Sequence, residues 1–359
     1  MVLTIIIALI SLVALMVLHE FGHFIIAKKF GVKVEEFGIG YPPKIWAKKF
    51  GGTLYSINLI PFGAFVRILG ESEKNNSSDS YSQKPFWQKS LIILGGVVSF
   101  WIVSAVIFTF IMAKGFPTQI EDADQGNLVN PKVQIIALAP ESPAEVAGIK
   151  IGDTITNLKS QSSELKTDKV KAVQDFIDGN KGKQITLTIQ RGKETVDIST
   201  TPRILPPEGE GPLGIALVRT AIKSYPWHIA PIEGVKTTIS LTKLALEGWI
   251  TAIVKLVKKE PTGVQLMGPV GIFSLFVQAG GLGYIYFLQL IAVISIFVAL
   301  FNILPIPATD GGKLMFLIIE KIKGKPLSQK FTQNTELAFF SLLIILMIFI
   351  TIKDVQRLF

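Results

Sequence analysis

Four long stretches of this chain carry no charged side chain, and they constrain the fold more than any other feature. They cover residues 1–18, 90–113, 261–309 and 337–352. A helix needs about 20 mainly apolar residues to cross a bilayer. The sequence therefore predicts a multi-pass α-helical membrane protein with about four transmembrane helices.

The boundaries of these spans follow from the flanking residues. The third stretch is too long for one helix, so the glycine-rich residues 280–283 are expected to divide it. Residues 263–279 then form a re-entrant or interfacial piece. The first stretch has neither a basic start nor an A-x-A-like site, so it is expected to remain as an uncleaved span. The expected spans are residues 3–27, 90–113, 284–306 and 337–352.

Composition excludes several other classes. Of the 359 residues, 49% are hydrophobic, which is high for a soluble protein. Cysteine is absent, so disulfides, thiolate metal sites and cysteine nucleophiles are excluded. The net charge of +9 fits basic cytoplasmic loops and a lysine-rich soluble domain. No nucleic-acid-binding module is recognisable, and no nucleic-acid partner is expected.

A His-Glu-Phe-Gly-His motif, residues 19–23, follows the first uncharged stretch. On a helix, His19 and His23 are one turn apart and project from the same face, as two ligands of one zinc ion must. Glu20 stands beside the first ligand, where it could take a proton from an attacking water. Ionisable side chains are costly in lipid and usually mark a functional site. The motif therefore predicts a hydrolytic metal centre inside or at the edge of a membrane.

A second motif, N-I-L-P-I-P-A-T-D-G-G, occupies residues 302–312 at the end of the third span. Pro305 and Pro307 cannot continue a regular helix. The two glycines after Asp310 predict a flexible turn that bears one carboxylate at membrane depth. Spans one and three run in the same direction, so both motifs fall at the same level. Since the chain has only three histidines, a carboxylate is the expected third ligand, with water as the fourth.

The basic residues predict the orientation of the chain. Lys and Arg are abundant between residues 28 and 88, and lysines recur between the third and fourth spans. By the positive-inside rule, both connections are cytoplasmic. The N-terminus and residues 114–260 are then extracytoplasmic, and the two motifs lie toward the cytoplasmic side.

The segments outside the spans have patterns of their own. Residues 51–66 have the turn residues and the β-branched and aromatic content of short strands, and residues 71–83 are polar and serine-rich, which predicts a mobile loop. Residues 133–217 alternate strand-like runs with turns and one short helix over 169–178. Residues 227–259 carry apolar side chains at helical spacing beside lysines, so an amphipathic helix is expected on the membrane surface or on the soluble domain.

The two motifs together resemble those of the site-2 protease family of intramembrane zinc metalloproteases. The chain is most similar to the bacterial branch typified by the regulator of sigma-E protease, and the resemblance covers nearly its whole length. It implies one zinc ion per chain, with Glu20 as the catalytic base. The implied zinc ligands are His19, His23 and Asp310.

The same resemblance reaches residues outside the metal motif. Residues 63–66 are similar to the family's Gly-Gly-Tyr-Val stretch, which follows a membrane-associated β-hairpin that presents an edge strand to the substrate. Residues 268–272 match a Gly-Pro-Ile-Gly-Ile stretch of the family. The implied substrate-binding residues are Asn302, Pro305, Pro307, Gly63 and Phe65.

Two positions depart from the family pattern. Thr309 stands before the ligand aspartate, where Leu is usual. In the second span, residues 96–100 read G-V-V-S-F, where the family often shows a Gly-Pro-x-x-Asn run. Neither departure removes a metal ligand. The second puts in doubt a helix-packing or substrate-contact role that is usually given to the missing Asn.

Residues 142–155, S-P-A-E-V-A-G-I-K-I-G-D-T-I, resemble a typical stretch of bacterial, circularly permuted PDZ domains. One such domain is visible. The loop implied to receive a peptide C-terminus through backbone N–H groups consists of Gly211, Leu213, Gly214 and Ile215. The expected domains are an N-terminal membrane core at 1–113, an inserted α+β PDZ domain at 116–220, amphipathic interfacial helices at 225–262 and a C-terminal membrane core at 263–359.

The resemblance implies hydrolysis of peptide bonds within transmembrane segments of single-span proteins whose extracytoplasmic part has been removed, such as an anti-sigma factor or a remnant signal peptide. The PDZ domain would gate by size or sense the new C-terminus. The implied location is the bacterial cytoplasmic membrane, so the lipid bilayer is a further partner. Two alternatives stay open: a catalytically inactive membrane PDZ adaptor, and a membrane-anchored protease with a cytosolic catalytic domain.

Overall fold

The computed structural model describes residues 2–71, 75–124, 128–192, 194–207, 209–260 and 267–356. The chain divides into two compact units. The first contains Met1–Ile111 and Trp227–Phe359, and the second is Met112–Pro226. Four helices of the described residues are long and apolar enough to cross a membrane, and they coincide with the four predicted spans. The prediction of a multi-pass α-helical protein is thereby confirmed.

The first unit begins with helix α1 (Val2–Lys29), which is followed by a long β-hairpin. Its strands, β1 (Val34–Phe50) and β2 (Thr53–Ile68), are longer than the short strands predicted for residues 51–66. They turn at two glycines with φ of 54° and 80°, a conformation that favours glycine. Residues 36–39 of β1 pair with residues 54–57 of β2 on one side and with residues 64–67 on the other. Residues 64–68 have a strand neighbour on one side only, so they form an edge of this sheet.

Residues 75–83 of the polar segment, where a mobile loop is expected, make local hydrogen bonds and contain a short 3₁₀ helix. Ser80 caps a short 3₁₀ helix, Tyr81–Gln83, by accepting from the Ser82 N–H. Ser80 and Tyr81 are both buried. The Ser80 hydroxyl accepts from the Ser82 N–H, and the Ser82 hydroxyl donates to the Asn75 carbonyl at 2.7 Å, so side chains satisfy backbone groups of this segment. Residues 72–74 of the same prediction lie outside the described residues.

Helix α2 (Phe86–Lys114) leads into the second unit, which is an antiparallel sheet with two helices. Its elements are β3 (Phe116–Gln119), β4 (Val129–Leu138), α3 (Pro143–Val146), β5 (Thr154–Lys159), β6 (Glu164–Leu165), α4 (Val170–Gly179), β7 (Ile185–Arg191), β8 (Glu194–Thr200) and β9 (Ile215–Lys223). The order of the strands is β3-β9-β4-β5-β7-β8, with β6 paired to β5. The helix predicted over 169–178 is α4, shifted by one residue.

The C-terminal part of the first unit is helical. Residues 269–279 of the piece expected at 263–279 are helical, and residues 263–266 lie outside the described residues. The third span ends three residues earlier than predicted because Pro305 follows its last turn. The helices are α5 (Ala230–Val257), α6 (Pro269–Leu282), α7 (Tyr284–Ile303), α8 (Asp310–Lys323) and α9 (Gln329–Gln356).

The amphipathic helix expected at 227–259 is α5, and it packs along two of the apolar helices. A Cβ on Gly234 would lie 2.6 Å from the Thr109 backbone nitrogen of α2, so the two helices touch backbone to backbone. Farther along α5, the rings of Trp249 and Phe297 of α7 have centroids 6.3 Å apart. One face of α5 is therefore covered by protein, while its exposed side chains include Ile239, Ile250 and Ile253.

The core of the first unit lies between α1, α2, α6 and α7. Side chains from all four helices form one buried apolar cluster, centred on Val97, Phe100, Phe276 and Ile291. The Ser295 hydroxyl donates to the Phe100 carbonyl at 2.8 Å, which fixes the axial position of α7 against α2. Since a hydroxyl in an apolar environment needs a partner, this bond also satisfies Ser295.

Candidate active site

The two histidines of the first motif lie one turn apart on α1, as the sequence predicts. Their Nε2 atoms are 3.3 Å apart, and the rings meet edge to face. The His19 ring also stacks on Phe100 of α2, with centroids 4.8 Å apart. His23 is buried, with a relative exposure of 7%. The helix spacing and this packing fix both rings on one face of α1.

Asp310 of the second motif meets these histidines. Its Oδ2 atom lies 3.3 Å from His19 Nε2 and 3.3 Å from His23 Nε2. The same atom is buried and accepts no hydrogen bond from the described residues. Two segments that are separated by nearly the whole chain therefore bring three ligand-type atoms to one point.

The flexible turn predicted after Asp310 is wrong. Asp310 is the first residue of α8, and the two glycines that follow it are helical and buried. A Cβ on Gly311 would lie 2.2 Å from the Leu304 carbonyl oxygen, and one on Gly312 would lie 2.1 Å from that of Ile306. The glycines thus allow α8 to pack tightly against the preceding loop, which holds Asp310 in place.

Hydrogen bonding determines which nitrogen of His23 can bind a metal. Its Nδ1 atom is 2.8 Å from the backbone carbonyl oxygen of Ile92 on α2. Because a carbonyl oxygen only accepts, Nδ1 carries the hydrogen and donates it. In the neutral ring, Nε2 then has its lone pair free and directed toward Asp310. Metal-binding histidines are generally oriented by such a bond at the other nitrogen.

The three atoms fit a zinc ion. Tetrahedral zinc with nitrogen and oxygen ligands at about 2.0–2.1 Å has neighbouring ligand atoms about 3.3–3.4 Å apart. All three observed separations are 3.3 Å. A buried carboxylate oxygen without a hydrogen-bond donor is also costly unless a cation accompanies it. His19, His23 and Asp310 could therefore hold one zinc ion.

Glu20 lies next to this cluster and is bound by the hairpin. Its Oε2 atom accepts a hydrogen bond of 3.0 Å from the backbone N–H of Val66. Val66 belongs to the edge segment 64–68 of β2. A carboxylate beside a metal site is placed to accept a proton from water, and the hairpin fixes its position.

Sequence reasoning missed the role of the glycines on α1 and α2. A Cβ on Gly96 would lie 2.2 Å from His23 Nε2 and 2.8 Å from His19 Cε1. A Cβ on Gly22 would lie 2.2 Å from the Gly95 carbonyl oxygen. The two helices therefore cross at glycines, as is common in membranes. The Gly95-Gly96 pair inside an apolar run is the sequence signal that could have revealed this crossing.

Thr309, which departs from the family pattern, has a structural role. Its hydroxyl lies 2.9 Å from the Leu304 carbonyl oxygen and 3.0 Å from that of Ile306. Thr309 is buried and immediately precedes α8. The hydroxyl thus joins the proline-containing loop to the residue before the candidate ligand.

The predicted substrate residues lie in α7, in the loop that follows it and in β2. The Asn302 amide donates to the Val298 carbonyl at 2.9 Å, while Pro305 is exposed and Pro307 is buried. On the hairpin, the Phe65 ring stacks on Tyr41 with centroids 6.2 Å apart. Gly63 has a φ of 93°, which favours glycine there.

An open cavity of about 340 Å³ lies beside the loop between α7 and α8. It lies between the loop that precedes α8 and the first turns of α9. Lys313, which pairs with Glu71 at 2.7 Å, contributes to its wall. The lining residues are Pro307, Ala308, Lys313, Gln333, Glu336, Leu337 and Phe340.

In the second unit, the predicted carboxylate-binding loop precedes β9. The Gly214 N–H donates to the Gly211 carbonyl at 2.9 Å, and Gly214 has a φ of 69°. Leu213 is buried in the core of the unit, and Ile215 packs against that core. The four predicted residues therefore form one tight turn at the start of a strand.

Helices of transmembrane length around a His-His-Asp cluster with an adjacent glutamate define a membrane metallopeptidase. Comparison with known proteins agrees with this class. The model of peptidase family M50 matches residues 7–346. The chain therefore belongs to peptidase family M50, and it is a zinc metalloprotease of the site-2 protease type.

Several relatives match nearly the full chain. A protein of Clostridium perfringens (strain 13), named as a zinc metalloprotease, is 31% identical over 356 residues and 98% of each chain is covered. One from Nostoc sp. is 28% identical over 361 residues, covering 98% of this chain and 95% of the relative. The regulator of sigma-W protease RasP of Bacillus subtilis is 27% identical over 432 residues, covering 95% of each chain.

Proposed function

We propose that this metalloprotease cleaves peptide bonds inside the membrane, with one zinc ion per chain held by His19, His23 and Asp310. The observation that carries the proposal is the convergence of three ligand atoms, each 3.3 Å from the other two. The helix that bears both histidines, α1, is long and apolar enough to span a bilayer, and Asp310 follows a second such helix, α7, after a short loop. The adaptor alternative would require the loss of a ligand or of Glu20, and all four are present in the sequence.

The chain's own residues supply the remaining chemistry. Zinc, when bound, would polarise a water and the scissile carbonyl. Glu20 accepts the proton of that water on its carboxylate and delivers it to the leaving amine. The His23 Nδ1–H, bonded to the Ile92 carbonyl, keeps the ring in the tautomer that the site needs.

A substrate helix must unwind before it can be cut, because its carbonyls are held in i→i−4 hydrogen bonds. The edge segment 64–68 of β2 offers backbone groups to which an extended segment could add as a strand. Gly63 and Phe65 belong to this part of the hairpin. Asn302 in the last turn of α7, and Pro305 and Pro307 in the loop that follows it, are the other proposed substrate-binding residues.

The proposed substrate is a single-span membrane protein that has already lost its extracytoplasmic part. An anti-sigma factor and a remnant signal peptide are two examples of this class. The name of the Bacillus subtilis relative, a regulator of sigma-W protease, supports the first example. A newly made C-terminus of such a substrate would bind at the loop containing Gly211, Leu213, Gly214 and Ile215.

The proposed orientation follows from charge. The segment between α1 and α2 is rich in Lys and Arg, and the connection between α7 and α9 carries several lysines, which favours the cytoplasmic side for both. The N-terminus and the PDZ-like unit would then lie outside the cytoplasm. The proposed location is the bacterial cytoplasmic membrane, with the site toward its cytoplasmic face.

The test is cleavage of single-span substrates in proteoliposomes by the wild type and by Glu20→Gln. The glutamine keeps the size of the side chain but cannot accept the proton. We expect zinc content to remain near one per chain and cleavage to be abolished. Full cleavage by Glu20→Gln would overturn the assignment of the base. Asp310→Ala should instead lose zinc, and a normal zinc content would overturn the ligand set.

A further inference from the structure

Lys313 lies on α8, three residues after the candidate ligand Asp310. Residues three apart on a helix are neighbours on one face, with Cβ atoms about 5–6 Å apart. Because α8 begins at Asp310, the lysine and the ligand belong to the same end of one helix. Whatever holds Lys313 in place therefore also restrains Asp310.

The partner of Lys313 belongs to a distant part of the chain. The Lys313 Nζ atom donates to Glu71 Oε1 at 2.7 Å. Glu71 follows the end of β2, and the two residues are 242 positions apart in the sequence. The ion pair therefore joins the end of the β-hairpin to the start of α8.

The backbone that carries Glu71 is held by its own hydrogen bonds. The Glu71 N–H donates to the Ile68 carbonyl at 3.2 Å, and the Leu69 N–H donates to the Lys33 carbonyl at 3.0 Å. Buried Tyr81 donates its backbone N–H to the Leu69 carbonyl at 2.8 Å.

This anchoring distinguishes the ion pair from an ordinary surface pair. An exposed ion pair is usually weak, since water screens the charges and two long side chains must be ordered. Here the turn and α8 already fix both backbones, and the Glu71 side chain is only 23% exposed. The pair can therefore transmit a constraint between the two elements.

The same hairpin also holds the candidate base. Val66 of β2 donates its backbone N–H to Glu20 Oε2 at 3.0 Å. Asp310 in turn lies 3.3 Å from His23 Nε2 of α1. The contacts thus form a closed circuit, from Glu20 on α1 to the hairpin, from the hairpin to α8, and from α8 back to α1.

The position of the hairpin affects the chemistry through Glu20. A base must lie within hydrogen-bond reach of the water that it activates. Within the described part of the chain, Val66 supplies the only hydrogen bond to the Glu20 carboxylate. A displacement of about 1 Å in such an arrangement can slow a reaction about 100-fold. The rate should therefore depend on how firmly the hairpin is fixed relative to Asp310.

We infer that Lys313 and Glu71 are positioning residues, whose ion pair fixes the hairpin to α8 and thereby keeps Glu20 at a set distance from the metal ligands. The inference rests on the proposed roles of Glu20 as base and Asp310 as ligand. It assigns neither Lys313 nor Glu71 to the zinc ion or to the substrate. Loss of the pair should therefore lower kcat, while zinc content and KM stay close to those of the wild type.

The experiment measures kcat and KM for a single-span substrate in proteoliposomes, and zinc content by mass spectrometry. Lys313→Met and Glu71→Ala each remove one charge of the pair. We expect each to lower kcat about tenfold, with KM within about threefold of the wild type and zinc content unchanged. Lys313→Arg keeps the ion pair and should retain most of the activity. A fall in zinc content would overturn the inference, because the pair would then maintain the ligands and not the base.

A double-mutant cycle tests whether the two residues act through each other. Because either substitution breaks the same ion pair, Lys313→Met/Glu71→Ala should be slower than the slower single variant by no more than about threefold. Losses that multiply to about 100-fold would overturn the pair as their common cause.

The chain offers a matched control for each charge. Lys323→Met removes a lysine from the other end of α8, and Glu35→Ala removes a glutamate from β1. Both side chains belong to exposed residues and make no ion pair among the described residues. Both variants should keep the kcat of the wild type. A tenfold loss in either control would show that net charge, and not the pair, determines the rate.

Failure of this inference is distinguishable from failure of the proposed function. Normal kcat in Lys313→Met and Glu71→Ala would overturn the positioning role and leave the proposed ligands and base intact. If the wild type cleaves no substrate, hydrogen exchange of residues 64–71 still tests the pair, since exchange should be faster in Lys313→Met than in Lys323→Met. Equal exchange would overturn the inference. Should Lys313→Met fail to fold, Glu71→Ala and its control Glu35→Ala carry the same comparisons.

Discussion

The carboxylate of Glu20 accepts a 3.0 Å hydrogen bond from the backbone N–H of Val66. This N–H belongs to a strand edge that would otherwise be open to a substrate segment. A substrate that pairs with this edge competes with Glu20 for the same donor. The position of the candidate base is therefore coupled to the strand that is proposed to hold the substrate.

Replacing Val66 with proline tests this coupling. Proline has no N–H, and it is tolerated on an edge strand where the N–H faces outward. Loss of a hydrogen bond to a charged group costs about 1.5–3 kcal/mol, which corresponds to about 10- to 100-fold in rate. We expect Val66→Pro to slow cleavage by that factor while zinc content stays unchanged. Val66→Ala keeps the N–H and should retain most activity; equal losses in the two variants would exclude a role for the N–H.

Gly96 is expected to be required for metal binding. A Cβ there would lie 2.2 Å from His23 Nε2, so alanine must displace a candidate ligand. Overpacking of this kind costs about 1–3 kcal/mol. We expect Gly96→Ala to lower zinc content, measured by mass spectrometry of the purified protein, and to reduce cleavage at least tenfold.

A matched glycine on another helix serves as the control for Gly96. Gly248 lies within α5, and a Cβ added there meets no atom within 4 Å among the described residues. Gly248→Ala should therefore keep full zinc content and activity. If Gly96→Ala bound as much zinc as Gly248→Ala, the histidines could make room for the added Cβ without losing the metal, and the prediction would be wrong.

Much of this site could be predicted from the sequence, for physical reasons. Histidines four residues apart on a helix must share a face, and a charge-free run fixes the depth of that helix. Asp310 was predicted at the same level because two spans run in the same direction. These inferences need only helix periodicity and the thickness of a bilayer.

The remaining features depend on contacts between distant segments. The carbonyl of Ile92 and the N–H of Val66 are backbone groups, so their residue types carry no signal of their roles. A glycine pair can give a flexible turn, as predicted for Gly311 and Gly312, or it can permit close packing. Only the position of the preceding loop shows that close packing is the role here. The pairing of β3 with β9 likewise joins segments that are about 100 residues apart in the chain.

Thr309 is expected to stabilise the loop that carries Asp310. Its hydroxyl is shared between two carbonyl oxygens, and valine would leave both without this donor. Both carbonyls keep a backbone donor, so the loss is that of a hydrogen bond rather than of all partners, about 0.5–1.5 kcal/mol. Thr309→Val should therefore lower thermal stability in detergent and weaken zinc retention against a chelator, whereas Thr309→Ser should behave as wild type. A stable Thr309→Val protein would contradict this role.

Asp354 of α9 is expected to anchor the start of α6. A single oxygen, Oδ2, accepts from the N–H groups of Gly268 and Gly271, both at 2.8 Å. Asp354→Ala leaves these donors without that partner, at a cost of about 1–3 kcal/mol. Asp354→Asn retains an oxygen acceptor and should lose much less. The midpoint of thermal unfolding in detergent measures the stability of both variants. Equal losses of stability would show that the charge of Asp354, rather than its hydrogen bonds, stabilises the start of α6.

The PDZ-like unit should lose stability in acid because of Asp153. Burial disfavours its charged form, but bonds from the Arg191 guanidinium and the Lys150 N–H outweigh burial and hold the pKa of Asp153 below its usual value. The carboxylate therefore stabilises the fold above the unfolded pKa of about 3.9. That contribution is lost as the pH falls through the lower folded pKa.

Hydrogen exchange in residues 133–191 of the full chain can follow this loss from pH 6 to pH 3. We expect protection to fall with pH in the wild type. Asp153→Asn should be less protected at pH 6 and lose less on acidification, because no charge titrates at that position. The exposed Asp197 of β8 provides the matched control, since Asp197→Asn removes the same charge without touching Arg191. If Asp153→Asn kept the full pH dependence of the wild type, the acid sensitivity would have to come from other carboxylates of the unit.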